Sequence, residues 1–310
     1  MQPTGTNSAR TELGPRGLHR LQPLAVGGAD EVPQDRWYRE DLFLVTERTE
    51  MGDQMDREGL RRLFDMTDRI VVVTGGTRGI GLALAEGYVA AGAKVVVASR
   101  KAQACEEAAR HLRDLGGDAI GVPTHLGNLE DLDRLVERAV DTFGGIDVVV
   151  NNAANALGQA LDQITPEAWA KSFDVNLRGP VFLVQKALPH LEASTFAAVL
   201  NVVSVGAFIF SPYVSMYAAG KAALMSFTRS MASEFAANGI RVNALAPGST
   251  DTDMTRGNPP EFLERMADAS LQRRIASPDE MVGPALLLTS DAGSFITGQV
   301  LIVDGGMTPH

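Results

Sequence analysis

The chain is 310 residues long, carries a formal net charge of −10 and contains one cysteine, Cys105. An acidic chain without a run of lysine and arginine is poorly suited to bind nucleic acid or an anionic membrane, so neither is expected as a partner. No segment approaches the roughly 20 apolar residues of a transmembrane helix, and the N-terminus lacks the apolar core of a secretory signal. Because a single cysteine forms no internal disulfide, a cytoplasmic location is expected.

Residues 1–63 differ from the rest of the chain, with scattered glycine, proline, arginine and acidic residues and no sustained hydrophobic period. We expect a disordered or loosely docked N-terminal extension there, or residues that precede the true start codon. A regulatory or targeting arm is the alternative. Residues 64–310 are expected to form one folded domain.

From Ile70 onward, short β-branched segments alternate with helical segments of ten or more residues. Helices between such strands imply right-handed crossovers and a parallel sheet that is covered on both faces. We therefore expect an α/β fold with a Rossmann-type, doubly wound parallel sheet in a single domain. The expected strands are residues 70–73, 95–97, 119–122, 146–150, 198–203, 240–246 and 300–303, and the expected helices include 80–91, 102–115, 128–143, 214–237 and one that starts at Thr165-Pro166.

A glycine-rich loop joins the first strand to the first helix. Glycine lets the backbone approach a pyrophosphate without a Cβ in the way, and the helix N-terminus behind it offers free N–H groups to the anion. The position between a buried strand and a helix favours a dinucleotide site over a simple turn. The loop reads Thr74-Gly75-Gly76-Thr77-Arg78-Gly79-Ile80-Gly81, with the spacing G-x-x-x-G-x-G.

The end of the second strand indicates which dinucleotide is bound. An NAD site has an acidic residue there, about 20 residues beyond the glycine loop, for the ribose 2′-hydroxyl. This chain has Ser99, Arg100 and Lys101 instead. Because Arg100 and Arg78 can each pair with a 2′-phosphate, NADP(H) is favoured over NAD(H).

Several motifs in the right order resemble those of the short-chain dehydrogenase/reductase family, in its single-domain branch, over about residues 63–307. The resemblance implies an oxidoreductase that interconverts a ketone or aldehyde and an alcohol by hydride transfer with NADP(H), without a metal. Besides the glycine loop, the motifs are Asn151-Asn152-Ala153-Ala154, Phe173-Asp174-Val175-Asn176, Ser204 after the fifth strand, Tyr217-Ala218-Ala219-Gly220-Lys221, Pro247-Gly248 and Val303-Asp304-Gly305-Gly306.

Tyr217 and Lys221 are four residues apart on a helix, so their side chains share one face. The pKa of a free tyrosine is near 10, and a neighbouring ammonium is expected to lower it toward the working range. Tyr217 is then the general acid/base, and the resemblance assigns Lys221 to the nicotinamide ribose as well. It also implies that Ser204 holds the substrate oxygen and that Asn176 anchors a water that links the lysine to solvent.

The same resemblance extends the cofactor site beyond the glycine loop, with two departures. Ala154 replaces the family's usual glycine, and His125 replaces an aspartate that touches adenine; a histidine ring nitrogen could accept the same hydrogen bond, or the ring could stack. The expected cofactor contacts are Gly75, Thr77, Arg78, Gly79, Ile80, Gly81, Ser99, Arg100, Lys101, His125, Leu126, Asn152, Ala153, Ala154, Tyr217, Lys221, Pro247, Gly248 and Thr252.

The substrate is expected to be neutral and fairly apolar, because the residues expected around it offer no obvious arginine for a carboxylate. Residues 254–271 are expected to form a mobile lid, and family members usually assemble as homotetramers or homodimers. The expected surroundings are Asn155, Ala156, Ala207, Phe208, Phe210 and Tyr213.

Two alternatives remain open. One is a 3-oxoacyl-thioester reductase of fatty-acid-type metabolism. The other, from a different class, is a catalytically silent NADP-binding scaffold that uses its extension to reach a partner. The set Asn176, Ser204, Tyr217 and Lys221 favours an enzyme over the scaffold.

Overall fold

The computed structural model describes residues 55–209 and 211–308. The expectations for residues 1–54 and for Phe210 lie outside this part of the chain. The first described element is a short helix, α1 (Arg57–Arg62), whose N-cap Asp56 accepts a hydrogen bond from the Gly59 amide. Just after it, the Leu63 carbonyl accepts a hydrogen bond from the Ala292 amide at 2.8 Å. Helix α1 belongs to the compact unit that carries the sheet.

Seven parallel strands form one sheet in the order β3-β2-β1-β4-β5-β6-β7. This order is that of a doubly wound sheet and confirms the predicted α/β fold class. The strands are β1 (Ile70–Thr74), β2 (Lys94–Ser99), β3 (Ala119–Pro123), β4 (Val148–Asn151), β5 (Ala198–Val202), β6 (Arg241–Pro247) and β7 (Val300–Val303).

The valine-rich central strands are buried because helices cover both faces of the sheet. Alternate residues of β1 point to opposite sides: Val71 and Val73 pack in one apolar cluster, and Val72 packs in the other. After α1, the helices are α2 (Gly79–Ala90), α3 (Ala102–Asp114), α4 (Leu129–Phe143), α5 (Pro166–Phe173), α6 (Gly179–Ala193), α7 (Ser215–Phe235), α8 (Asp253–Arg256), α9 (Pro260–Asp268) and α10 (Val282–Thr289). The first cluster includes residues of α2, α3 and α10, and the second includes residues of α4, α6 and α7.

Helices α5 and α6 are joined by a π turn over Asp174–Arg178, in which the Gly179 amide donates to the Asp174 carbonyl. Pro180 explains the irregularity, because it has no N–H to direct at the carbonyl four residues earlier, that of Asn176. The widened turn also brings the Asn176 side chain to a fully buried position.

The strand order reverses between β1 and β4, which pair through Val71–Val73 and Val148–Val150. Open α/β sheets bind ligands at the carboxyl ends of the strands at such a reversal. The loops after β1, β4, β5 and β6 meet at this edge and carry most of the residues that the sequence singles out. Among residues 55–209 and 211–308, no helix has the length and apolarity to cross a bilayer.

Candidate active site

The glycine loop forms a cradle into which no larger residue fits without distortion. Gly75 and Gly79 have φ angles of +66° and +54°, which L side chains rarely adopt. A Cβ on Gly81 would lie 2.2 Å from the Gly75 carbonyl oxygen and 2.4 Å from the Asn152 amide nitrogen. The structure therefore brings the three glycines together as the sequence predicts.

The loop after β4 supports this cradle from the side. Asn152 donates through Nδ2 to the carbonyl oxygens of Thr74, at 2.9 Å, and of Gly75, at 3.3 Å. The Thr74 hydroxyl accepts hydrogen bonds from the backbone amides of Asn152 and Ala153, and all of these residues except Thr74 are half-buried. Ala154 follows, also half-buried. Two loops are thus fixed against each other across the point where the strand order reverses.

The cradle suits a diphosphate. Helix α2 starts at Gly79, its N-cap Arg78 makes no side-chain capping bond, and its first turn contains no acidic residue. The first amides of the helix consequently face the cradle without a competing carboxylate, which favours an anion. Thr77 and Ile80 are half-buried beside the glycines. The residues present therefore fit the diphosphate of a dinucleotide cofactor.

The end of β2 presents two cations. Ser99 is half-buried, whereas Arg100 and Lys101 are exposed beyond it. The other predicted phosphate ligand, Arg78, is also exposed and forms an ion pair with Asp253, Nη1 to Oδ2 at 2.9 Å. That pairing joins the glycine loop to α8, and no sequence signal indicated it.

His125 is exposed after β3, and Leu126 is buried beside it. The His125 Nδ1 accepts a hydrogen bond from the Gly127 amide at 3.1 Å, so a neutral ring carries its proton on Nε2. The exposed nitrogen is then a donor. In this tautomer His125 cannot accept a hydrogen bond from the adenine amino group, and donation or stacking remains.

Ser204, Tyr217 and Lys221 come together where β5 ends and α7 passes over it. Lys221 is fully buried, its Nζ donates to the Val202 carbonyl at 2.6 Å, and it lies 5.8 Å from the centroid of the Tyr217 ring. Tyr217 is half-buried and hydrogen-bonded to Ser204. The Ser204 Oγ also accepts from the Gly206 amide at 3.1 Å, which orients the hydroxyl. The predicted catalytic group is therefore assembled.

The electrostatics of this trio differ from the sequence expectation. Burial raises the pKa of Tyr217 above its ordinary value, and the hydrogen bond with Ser204 offsets only part of that effect. Burial also lowers the pKa of Lys221 to about 8. Because desolvation outweighs the hydrogen bond with Ser204, the expected lowering of the Tyr217 pKa does not hold, and the phenol stays protonated at neutral pH.

The Asn176 side chain fastens the loop after β4 to the π turn. Its Oδ1 accepts from the Asn155 amide at 3.1 Å, and its Nδ2 donates to the Asn155 carbonyl at 2.9 Å and to the Ser172 hydroxyl at 3.2 Å. Both ends of the side-chain amide are therefore hydrogen-bonded to other residues of the protein. In a regular α-helix the N–H of residue 180 would donate to the Asn176 backbone carbonyl. Residue 180 is a proline and has no N–H, so this carbonyl lacks its α-helical donor.

The loop after β6 packs against the glycine loop. Gly248 is packed so tightly that a Cβ there would lie 2.7 Å from the Asp304 Cα, and its amide donates to the Val303 carbonyl. Pro247 is buried at the strand end. The Thr252 Cγ2 lies 3.1 Å from the position of a Cβ on Gly79, so this loop rests on the glycine cradle.

The segments that the sequence predicts around the substrate carry several exposed apolar side chains. Phe208, Ile209, Met254 and Phe262 all expose more than a third of their surface. Tyr213 is 70% exposed and has a φ of +65°, an unusual backbone conformation for a residue other than glycine. Asn155, Ala156 and Ala207 are half-buried, whereas Phe210 lies outside the described residues.

Sequence reasoning missed Gln159 in this region. Its backbone N–H donates to the Tyr213 carbonyl at 2.7 Å, which joins the loop after β4 to the segment before α7. Its Oε1 is buried without a hydrogen-bond partner among the described residues. A glutamine in a loop gives no sequence signal of this kind, since the pairing depends on where the two loops meet.

Comparisons with known proteins cover nearly the whole described domain. The family model described as enoyl-(acyl carrier protein) reductase matches residues 75–308. The human dehydrogenase/reductase SDR family member 4 is 36% identical over 82% of this chain and 92% of its own length. A cis-4-hydroxycyclohexanecarboxylate dehydrogenase from Sinomonas cyclohexanicum is 38% identical over 78% of this chain and 97% of its length.

Solved structures agree with these relatives. A dehydrogenase/reductase from Sinorhizobium meliloti 1021 superposes with a TM-score of 0.78 at 28% identity, covering 81% of this chain and all of that one. A short-chain type dehydrogenase/reductase from Mycobacterium marinum has a TM-score of 0.76 at 29% identity, covering 80% and 98% of the two chains.

The buried lysine predicts a pH dependence of stability. Below a pH of about 8 the Lys221 amine is charged in both the folded and the unfolded protein, so the folded protein bears the whole cost of burying the charge. Between that pKa and the ordinary value of 10.5 the folded state loses its proton first, so stability rises with pH. We expect the unfolding free energy of the wild type to gain about 2 to 3 kcal/mol over that of Lys221→Met between about pH 7 and pH 10.

Urea unfolding at several pH values measures this difference. Lys171→Met, which removes an exposed ammonium, controls for loss of a positive charge as such. If the difference in unfolding free energy between the wild type and Lys221→Met does not change with pH over this range, the lowered pKa of the buried amine is contradicted.

Proposed function

We propose that this protein, which belongs to the short-chain dehydrogenase/reductase family, is an NADP(H)-dependent oxidoreductase that interconverts a ketone or aldehyde and an alcohol. Membership makes it an oxidoreductase with a nicotinamide cofactor and a small-molecule substrate. The observation that carries the finer proposal is the assembly of Ser204, Tyr217 and Lys221 around the end of β5.

The chemistry follows from the protonation states of these groups. NADPH held in the glycine cradle would supply the hydride to the carbonyl carbon. The protonated Tyr217 hydroxyl donates its proton to the carbonyl oxygen, which Ser204 holds by a hydrogen bond. The phenolate left behind is stabilised by the Lys221 ammonium, which is fixed beside it by the Val202 carbonyl. Alcohol oxidation runs through the same groups in reverse.

A route for the proton to solvent runs past the π turn. The Asn176 side chain holds the neighbouring loop, so it acts as a positioning residue. The Asn176 carbonyl lacks its α-helical donor and can accept a hydrogen bond from water. Helix α7 passes close to this turn, because a Cβ on Gly220, the neighbour of Lys221, would lie 3.1 Å from the Asn176 Cβ.

The preference for NADP(H) rests on charge at the end of β2. Arg100 and Lys101 are exposed there, and no carboxylate occupies the position that would bind a free ribose hydroxyl. A 2′-phosphate would meet Arg100 on one side and Arg78 on the other. His125 and Leu126 would border the adenine, with His125 donating or stacking.

The substrate is proposed to be neutral and largely apolar. The exposed aromatic and aliphatic side chains around the entrance, Phe208, Ile209, Met254 and Phe262, would cover such a molecule when the segment of α8 and α9 closes. One relative is named as acting on a steroid: 3beta-hydroxysteroid dehydrogenase 1 from Eggerthella lenta, 36% identical over 79% of this chain and 95% of its own length. A ring alcohol or ketone fits the same description.

A second copy of the chain is proposed to cover the outer face of α5, the π turn and α7. Trp169 and Phe173 stack there with ring centroids 4.4 Å apart, and the same shallow groove is lined by Leu177, Val181 and Phe227. Trp169 and Phe227 are 51% and 41% exposed, which is unusual for large apolar residues clustered on one face. Symmetric pairing of this face would bury it and give a homodimer or homotetramer.

Removing the Tyr217 hydroxyl tests the catalytic assignment. Tyr217→Phe should lower kcat for carbonyl reduction by a factor of about 100 to 10,000, because the proton donor is lost. NADPH binding should persist. A carbonyl and alcohol panel read by absorbance of the reduced cofactor measures the rate, and fluorescence titration measures binding. A variant as active as the wild type would contradict the role of Tyr217, whereas a wild type without activity on the panel would favour the silent scaffold.

Reversing the charge after β2 tests the cofactor. Arg100→Asp should weaken NADPH binding by at least about tenfold and leave NADH binding unchanged or improved, since the charge-assisted hydrogen bonds are replaced by repulsion. Calorimetric titration with each cofactor gives the two affinities, and Arg110→Asp, on the exposed side of α3, is the control. Tighter binding of NADH than of NADPH by the wild type would show that the proposed preference is wrong.

Placing a charge in the apolar groove tests assembly. Phe227→Asp should lower the molar mass in solution, because an unpaired carboxylate would be buried at the interface. Light scattering after size-exclusion chromatography measures the mass, with Leu115→Asp at the exposed end of α3 as control. Unchanged mass for Phe227→Asp, or an equal loss for both variants, would place any interface elsewhere.

A further inference from the structure

The ion pair between Arg78 and Asp253 joins the two walls of the cofactor cleft. Arg78 lies in the glycine loop, and Asp253 is the first residue of α8, 175 positions later in the chain. Their atoms Nη1 and Oδ2 are 2.9 Å apart, and both side chains are largely exposed, at 72% and 59%. The pair is therefore reachable by a ligand from solvent.

The position of Asp253 is fixed by the turn around it. The Thr255 hydroxyl donates to the Thr250 carbonyl at 2.6 Å, and the Thr255 amide donates to the Thr252 carbonyl at 2.9 Å. Thr252 in turn lies against Gly79. The carboxylate is thus held at the rim of an anion-binding loop, where it repels a phosphate group and occupies the guanidinium that would bind it.

Asp253 has a second cation close by, whereas Arg78 does not have a second carboxylate in the described structure. Arg256 pairs with both carboxylate oxygens of Asp251, at 2.7 and 2.9 Å, and is also stabilised in its charged form by Asp253. Asp253 therefore keeps a favourable charge neighbour when Arg78 leaves it. An exchange of partners at Arg78 costs little, because exposed ion pairs are weak.

We propose that Asp253 determines cofactor selectivity by holding Arg78 in the place of the 2′-phosphate, and that binding of the phosphorylated cofactor exchanges one partner for the other. This inference rests on the proposed use of NADP(H). The competition between Asp253 and the 2′-phosphate for Arg78 sets the affinity for the phosphorylated dinucleotide.

The test is equilibrium binding of NADPH and of NADH, without substrate, at low ionic strength. Asp253→Asn keeps the shape of the side chain and removes its charge, and we expect it to tighten NADPH binding by about two- to fivefold, the size of an exposed ion pair, with NADH binding unchanged. Asp251→Asn removes an equal charge two residues earlier in the chain. The ion pair that it breaks is with Arg256 and does not involve Arg78. This variant is expected to have little effect on either cofactor.

The role of Arg78 is tested by the double variant. In an Arg78→Ala background, the Asp253→Asn change should no longer tighten NADPH binding, because the competing partner has gone. The inference is overturned if Asp253→Asn shifts both cofactors equally, if Asp251→Asn matches it, if its effect persists without Arg78, or if the wild type binds neither cofactor.

The wild-type comparison separates this inference from the proposed function. Tighter binding of NADH than of NADPH by the wild type rejects the proposed preference, whereas a wild-type preference for NADPH that Asp253→Asn leaves unchanged rejects only the competition at Arg78. All the substituted side chains are exposed, and an unfolding curve of each variant checks that it folds.

Discussion

The hydrogen bond from the Lys221 ammonium to the Val202 carbonyl sets the geometry on which the site depends. It joins the second turn of α7 to the last residue of β5, 19 positions earlier in the chain. Ser204 lies two residues beyond that carbonyl, and Tyr217 lies one helical turn before the amine. The register of one helix over one strand end therefore brings all three groups together. An ammonium held this deep in an apolar domain would be costly without such an acceptor.

The burial that holds the lysine also governs its chemistry. Desolvation raises the pKa of the Tyr217 phenol and lowers that of the Lys221 amine. Each group is pushed toward its neutral form, which leaves the tyrosine as a proton donor. In the proposed mechanism the lysine stabilises the phenolate when it forms, rather than creating it beforehand.

The fold and most of the site follow from local sequence signals. Runs such as Val71-Val72-Val73 between glycines require burial on both faces, and helices between them allow only a parallel sheet. The glycine spacing, the i and i+4 relation of Tyr217 and Lys221, and the strand-end position of Ser204 are also local. These patterns place each group at the carboxyl edge of the sheet before any coordinate is known.

What the sequence could not predict depends on contacts between distant segments. The pairing of Arg78 with Asp253 and that of Gln159 with Tyr213 arise where separate loops meet. The tautomer of His125 depends on the amide of Gly127, which local spacing suggests only once the turn is known. The direction of the Tyr217 pKa depends on how completely the fold excludes water, a property of the whole domain.

The π turn at Asp174–Arg178 determines which way the side chains before and after it face. It holds one residue more than a regular turn, which rotates everything on its upstream side by about 100° relative to the downstream side. The Asn176 amide thereby faces the interior while Trp169 and Phe173 face outward. A one-residue deletion here would turn the aromatic pair of α5 by about 100° relative to Phe227, so the placement of Asn176 and the outer apolar face depend on the same extra residue.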